Sequence, residues 1–178
     1  CSSNFPAIVY DGIQVNEGLL VFTKNQQFLV TTDSDILSPT TVKLNALASY
    51  NFNHKTSPIS LGTTVGFLDN ANKYSRFFEM AGLSRRGEPT VVEQSKVVSQ
   101  LFARDLKLIS NSRENSLIFF SEENTSTIYG YRYFNIGNKR AMEAWFTWAV
   151  TGTVRYHCML DDALFVKVIA KICSISTM

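Results

Sequence analysis

The side chains able to do chemistry are few. Two histidines, His54 and His157, and three cysteines, Cys1, Cys158 and Cys173, make up the inventory of classical nucleophile, base and soft-metal groups. A thiol or hydroxyl nucleophile needs a base within hydrogen-bond reach, and a zinc site needs ligands at short, repeated spacing. His157 and Cys158 are neighbours in sequence, so on a strand they point to opposite faces and make a poor nucleophile–base pair. An odd number of cysteines with no C-x-x-C spacing argues against both a disulfide framework and a zinc site, and all three are read as reduced thiols. The chain contains no G-x-S-x-G, no H-E-x-x-H and no phosphate-binding glycine loop.

Carboxylates come in near-adjacent pairs: Asp33 with Asp35, Glu122 with Glu123, and Asp161 with Asp162. Each falls in a predicted turn, where Asp side chains bond nearby backbone N–H groups, and calcium at Asp33 and Asp35 is the weaker reading. Hydrolysis by two carboxylates requires them across a cleft of about 5–10 Å, which adjacent residues do not provide. These residues therefore predict no catalytic, cofactor-binding or metal site, and a protein that is not an enzyme. One competing possibility rests on aromatics. Tyr129, Tyr131, Tyr133, Trp145 and Trp148 could stack on sugars in a glycan-binding or glycan-cleaving β-propeller, but the same residues would serve equally as core, and burial separates the two.

Those aromatics lie in the stretch Thr127–Val168, which reads as an aromatic strand (Ile128 to Phe134), an Asn/Gly turn (Asn135 to Asn138), a tryptophan strand (Trp145 to Val150), a Thr-Gly-Thr turn, and two strands joined by Asp161-Asp162. Ala141, Met142, Trp145, Trp148 and Ala149 also fit one face of a helix. The strand is favoured, because Thr147, Val150 and Thr151 are poor helix formers and Phe146, Trp148 and Val150 would share a strand face.

The remaining chain repeats this pattern. Short strands with hairpin-length turns are predicted from Phe5, with turns at Asp11-Gly12, Asn16-Glu17-Gly18 and Lys24-Asn25-Gln26, and a loop from Asp33 to Pro39. Ser84 to Pro89 reads as an exposed loop, and residues 91–103 as the one short helix. A polar or Gly turn followed by an apolar strand recurs as NEGLLVF, GTTVGFL, ENSLIFF and DDALFVK. Their first apolar residues, Leu19, Val65, Leu117 and Leu164, are spaced 46, 52 and 47 residues apart, near the roughly 40–50 residues of one four-stranded propeller blade. The expectation is an all-β fold: a propeller-like assembly of short antiparallel meander sheets, with a β-sandwich as the competitor. Residues 1–178 are expected to be a single β-rich domain of about four blade-like repeats, a fragment of a longer protein. The four repeat strands should then occupy equivalent places in successive sheets.

Net charge is +2 with both signs interspersed, which advertises neither a nucleic-acid-binding arm nor a membrane-surface patch. The adjacent basic pairs, Arg85-Arg86 and Lys139-Arg140, both fall in predicted loops. No apolar run approaches the roughly 18 residues of a membrane span, and no signal peptide is evident at the start. Only 18% of residues are charged, below the roughly 25% of a typical soluble domain, so some surface is expected to be covered by partners.

The order of these pieces resembles tail tubular protein B, the tail nozzle family of short-tailed bacteriophages (podoviruses). The resemblance rests on GLLVFTKNQQFLVTTDSDILSPTTVKLN, PISLGTTVGFL, NSLIFFSEENTSTIYGYRYF, and EAWFTWAV followed by DDALFVKV, which together span most of Gly18 to Val168. It implies a structural virion protein, made in the host bacterial cytoplasm. Its implied partners are itself, as a ring of six copies, the tail adaptor protein, the tail fibres, and double-stranded DNA that passes without specific binding.

Overall fold

The structure, a computed structural model, describes residues 8–84, 87–102, 105–169 and 171–177. It resolves into two compact units, Cys1–Ser99 and Gln100–Met178. Each is built from two antiparallel meanders, in which every strand pairs with its neighbour in sequence.

In the first unit, β1 (Val9–Val15), β2 (Gly18–Thr23), β3 (Gln27–Thr32) and β4 (Val42–Ala48) form one sheet in that order. A second sheet follows as β5 (Ile59–Ser60), β6 (Val65–Asp69), β7 (Arg76–Ala81) and β8 (Thr90–Glu93). Alternation along β2 and β3 sends Leu20, Phe22 and Leu29 inward. Leu20, Phe22, Phe52, Val65, Phe67, Phe78 and Met80 share one buried cluster, with ring centroids 4.6 Å apart for Phe22–Phe52 and 4.5 Å for Tyr50–Phe78.

Two buried polar side chains in this unit, Gln27 and Asp69, are multiply paired, as burial requires, while Arg76 Nε is buried without a partner among the described residues. The Gln27 side chain is fully buried and behaves as an extra strand residue: its Nε2 donates to the Tyr50 carbonyl at 2.9 Å and its Oε1 accepts from the Tyr50 N–H at 3.0 Å. The Asp69 carboxylate accepts from the Asn51 and Ala71 N–H groups and from Arg76 Nη2, at 2.9, 3.0 and 3.0 Å.

The second unit holds the longest strands. β9 (Leu106–Ser112), β10 (Leu117–Glu122), β11 (Thr127–Ile136) and β12 (Lys139–Ala149) make a four-stranded meander, and β13 (Val154–Leu160), β14 (Ala163–Val168) and β15 (Lys171–Ser176) make a three-stranded one. Leu117, Phe119, Ile128, Val154, Leu164, Val166 and Val168 form the buried cluster, and Phe146, Trp148 and Val150 pack against it. Trp145 to Ala149 is thus strand, and Phe146, Trp148 and Val150 share a face as its pattern implies. The turns use residues that tolerate left-handed backbone: Gly137 (φ 61°) between β11 and β12, and Asp161 (φ 51°) between β13 and β14.

The four repeat strands are β2, β6, β10 and β14, and each is the second strand of its sheet. The period in the sequence is therefore a period of meanders. They make an all-β fold of four antiparallel sheets.

Three local expectations are corrected. Asp11-Gly12 is not a hairpin turn: β1 runs through it, with a register shift between Val9 and Asp11 and the Gly12 N–H donating to Asp11 Oδ1. Continuous pairing wins there because Tyr10, Ile13 and Val15 all pack on the core. The helix expected over 91–103 shrinks to a 3₁₀ turn, Lys96–Val98, preceded by β8. Val91 and Val92 are β-branched and pair with Met80 and Glu79, which outweighs the helical spacing. Lys139-Arg140 begins β12 instead of lying in a loop, because the turn closes on two residues. Arg85 and Arg86 lie outside the described residues.

Gly130 sits opposite Phe146 across β11 and β12, and a Cβ at 130 would overlap the Phe146 ring. Gly130→Ala is expected to cost about 1–3 kcal/mol by overpacking, measured as a shift in urea midpoint. Phe119 is fully buried and Phe134 is 56% exposed. Phe119→Ala should cost about 3–5 kcal/mol and Phe134→Ala about 0.5 or less. Equal losses at the two positions would contradict this assignment of core and surface.

Candidate functional site

The aromatic array on β11 and β12 is the place where ligand chemistry was most plausible from sequence. Strand alternation splits it in two. On one face, Tyr131 and Tyr133 are buried, and Trp145 lies 4.4 Å from Tyr131, edge-on to Phe102 at 5.2 Å, and stacked on Phe120 at 6.0 Å. Tyr129 packs edge-to-face with Phe102 at 5.3 Å. On the other face, Trp148 meets Phe119 at 5.1 Å and Phe146 at 5.3 Å. A sugar platform needs an open ring face in a concave site. These rings are spent on one another.

Near the hairpin end, a polar lattice ties the first face together. Arg140 Nη1 donates to the Tyr131 hydroxyl at 2.5 Å and its Nε to Asn135 Oδ1 at 2.7 Å, while the Tyr131 hydroxyl donates to Glu143 Oε2 at 2.8 Å. The Arg140 guanidinium also stacks 4.7 Å above the Tyr133 ring. A shallow groove of about 510 Å³ runs beside this lattice, lined by Glu114, Arg132, Tyr133, Phe134, Met142 and Glu143 among others. Its aromatic edges and mixed charges suit a protein surface better than a catalytic cleft.

His157 is the second candidate. A register shift between Val154 and Tyr156 turns both Val154 and His157 inward, opposite Val168 and Val166. Its Nδ1 lies 2.6 Å from Ser110 Oγ on β9 and its Nε2 2.8 Å from Ser121 Oγ on β10. Ser110 Oγ is also 3.0 Å from the His157 carbonyl. One hydroxyl proton cannot serve both acceptors. If Ser110 donates to the carbonyl, Nδ1–H donates to Ser110 and Nε2 accepts from Ser121, and every group is satisfied. The three side chains are buried and hold no carboxylate to orient the ring, so they clamp the two sheets of the unit without a route for substrate. Cys158, pointing the other way, is half-buried opposite Phe165.

The remaining sequence candidates are dispersed. His54 is exposed and stacks on Tyr10 at 4.6 Å. Asp33 pairs with Lys43 at 2.5 Å, Glu123 with Lys107 at 3.4 Å, and Asp162 accepts from Asn115 Nδ2 at 3.1 Å. Among the described residues, no group of three or more His, Cys, Asp or Glu is placed to hold a metal. No described helix is long and apolar enough to cross a membrane. Cys1 lies outside the described residues.

What the geometry builds is packed meander wall. The model of the bacteriophage nozzle protein family matches residues 1–170. The chain belongs to that family. No curated protein matches it. As a phage nozzle protein it is a structural component of the virion tail, which accords with aromatics committed to packing and histidines committed to structure.

Burial lowers the His157 pKa from 6.5 to about 4. The unfolded chain therefore binds the extra proton first, and the stability contributed by neutral His157 is complete above about pH 6.5 and lost as pH falls toward 4. Between pH 7 and pH 5 the nozzle protein should lose about 2 kcal/mol from this group, at roughly 1.4 kcal/mol per unit. Urea titrations at the two pH values check it, with His157→Gln as the variant in which this pH dependence is expected to flatten.

Proposed function

We propose that this nozzle-family chain is a β-rich domain in the wall of the tubular tail through which the phage genome leaves. In this reading, copies assemble as a ring of six below the tail adaptor protein, with tail fibres attached nearby. The protein is made in the host bacterial cytoplasm, joins the virion, and carries no enzymatic activity of its own.

The observation that carries the reading is the family match across residues 1–170. Physical features support it. Meanders with strand-to-strand backbone bonding and fully packed aromatic cores resist deformation, which a conduit wall requires. Charge is mixed and the net value is only +2. A bore that held the phosphate backbone through many Lys or Arg contacts would retain the duplex, because each neutralised phosphate adds a counterion-release term to the affinity. Of the Lys139-Arg140 pair, Arg140 is occupied by Tyr131 and Asn135. The sugar-binding alternative would need open ring faces, whereas Tyr131 is buried and the half-buried Trp145 and Trp148 pack against neighbouring rings.

A titration against duplex DNA at about 0.15 M salt is expected to give dissociation constants no tighter than the roughly 10⁻⁴–10⁻⁶ M of non-specific binding, with no sequence preference. Nanomolar affinity with base discrimination would sink the passive-conduit reading.

A further inference from the structure

Three of the four sheets hold four strands and one holds three. In the complete sheets the fourth strand flanks the third, and it begins 23, 25 and 22 residues after the first apolar residue of the repeat strand: Val42 after Leu19, Thr90 after Val65 and Lys139 after Leu117. The three-stranded sheet ends on β15, and no strand among the described residues pairs with its outer edge. Backbone parity fixes which groups that edge presents. The Thr177 N–H donates to the Asp162 carbonyl, so Asp162 and Thr177 form a hydrogen-bonded pair, as then do Leu164 with Ile175, Val166 with Cys173 and Val168 with Lys171. The intervening residues, Ile172, Ser174 and Ser176, turn their N–H and C=O groups away from β14.

The composition of β15 is that of an interior strand. Natural sheet edges are protected by charge, irregularity or shortness. The other outer strands obey this: β12 carries Lys139, Arg140 and Glu143, β4 carries Lys43, β8 ends on Glu93, β5 has two residues, and β1 and β13 have register shifts. β15 reads Lys-Ile-Cys-Ser-Ile-Ser, with no charge after Lys171. Its exposure is the reverse of what its place in the meander implies. The third strands of the other sheets are flanked on both sides and bury residues such as Leu29 on β3, Phe77 and Met80 on β7, and Ile128 and Tyr131 on β11. On β15, Ile172, Cys173, Ser174 and Ser176 are exposed and Ile175 is half-buried. Cys173 and Ile175 stand on the same face as the buried Val166 and Leu164 beside them, and differ in having no strand on their far side.

We infer that β15 is an interior strand whose outer edge takes a fourth, antiparallel strand from the same polypeptide, beginning 22–25 residues after Leu164 and so past Met178. The spacing of the three complete meanders names that occupant. The added strand bonds through its main chain to Ile172, Ser174 and Ser176 and sets alternate apolar side chains beside Cys173 and Ile175. Strand addition of this kind draws its affinity from backbone hydrogen bonds and its specificity from alternate side chains. A ring of copies is not needed for this edge to be filled.

The test compares residue-resolved amide hydrogen exchange along β15 in the 178-residue chain and in the nozzle protein at its full natural length. In the 178-residue chain, the amides of Ile172, Ser174 and Ser176 should exchange roughly tenfold or more faster than those of Cys173 and Ile175, which bond to β14. In the full-length protein the outward amides should slow to match the inward ones. Ser174→Pro supplies a second readout. Proline there removes only an outward N–H, so the 178-residue chain should keep its melting temperature. In the full-length protein the same change should return Ile172 and Ser176 to fast exchange, because an incoming strand then meets a ring where it needs a donor. If the outward amides stay fast in the full-length protein, the edge is free and the added strand is overturned. If they are slow in the 178-residue chain only at high concentration, a second copy fills the edge, and if they are slow at every concentration, these 178 residues fill it themselves. Either outcome also overturns the added strand.

Discussion

The second unit depends on one pairing, that of Gly130 with Phe146 across β11 and β12. The ring lies over the position where a side chain would stand, so glycine is required at 130 and the register cannot slip. With that register fixed, every other position follows. Tyr129, Tyr131, Tyr133, Glu143 and Trp145 go to one face, and Ile128, Phe134, Met142 and Trp148 to the other. The first unit uses the same device at Gly66, where an added Cβ would lie 2.7 Å from the Phe77 ring. Bulky rings over bare backbone give both units dense packing with few alternative registers.

Polar groups complete what the rings begin. Gln27, Asp69 and His157 are all nearly or wholly buried, and each bridges segments distant in sequence: Gln27 to Tyr50, Asp69 to Asn51 and Arg76, and His157 to Ser110 and Ser121. A buried polar atom left without its partner costs free energy comparable to a lost hydrogen bond, so these bridges restrict which meanders can pack together. The His157 clamp adds a sensitivity to acid, since burial away from water disfavours the charged imidazolium.

For a structural protein of a phage tail, function resides in shape and contact surfaces more than in a reactive centre. The meanders give a stiff scaffold, and the feature that stands out from it is the exposed edge of β15 in the three-stranded sheet.

The sequence by itself determined the fold class and its period. Alternating apolar residues and short Gly, Asn and Asp turns dictate antiparallel meanders, because a two-residue repeat can bury only one face of a strand. The four turn-plus-strand units at Leu19, Val65, Leu117 and Leu164 mark the second strand of each sheet for the same local reason. The order of motifs also carried the family. Only the tertiary structure decided the rest. A shifted register between Val154 and Tyr156 turns His157 inward, and no local signal announces where a strand will bulge. Continuous pairing carried β1 through Asp11-Gly12 against its turn propensity, and pairing with β7 made Val91 and Val92 strand. The two faces of the β11–β12 hairpin have similar aromatic and apolar composition. Which is packed and which is bare depends on where β10 ends and which rings approach, and those are facts of packing between segments far apart in the chain.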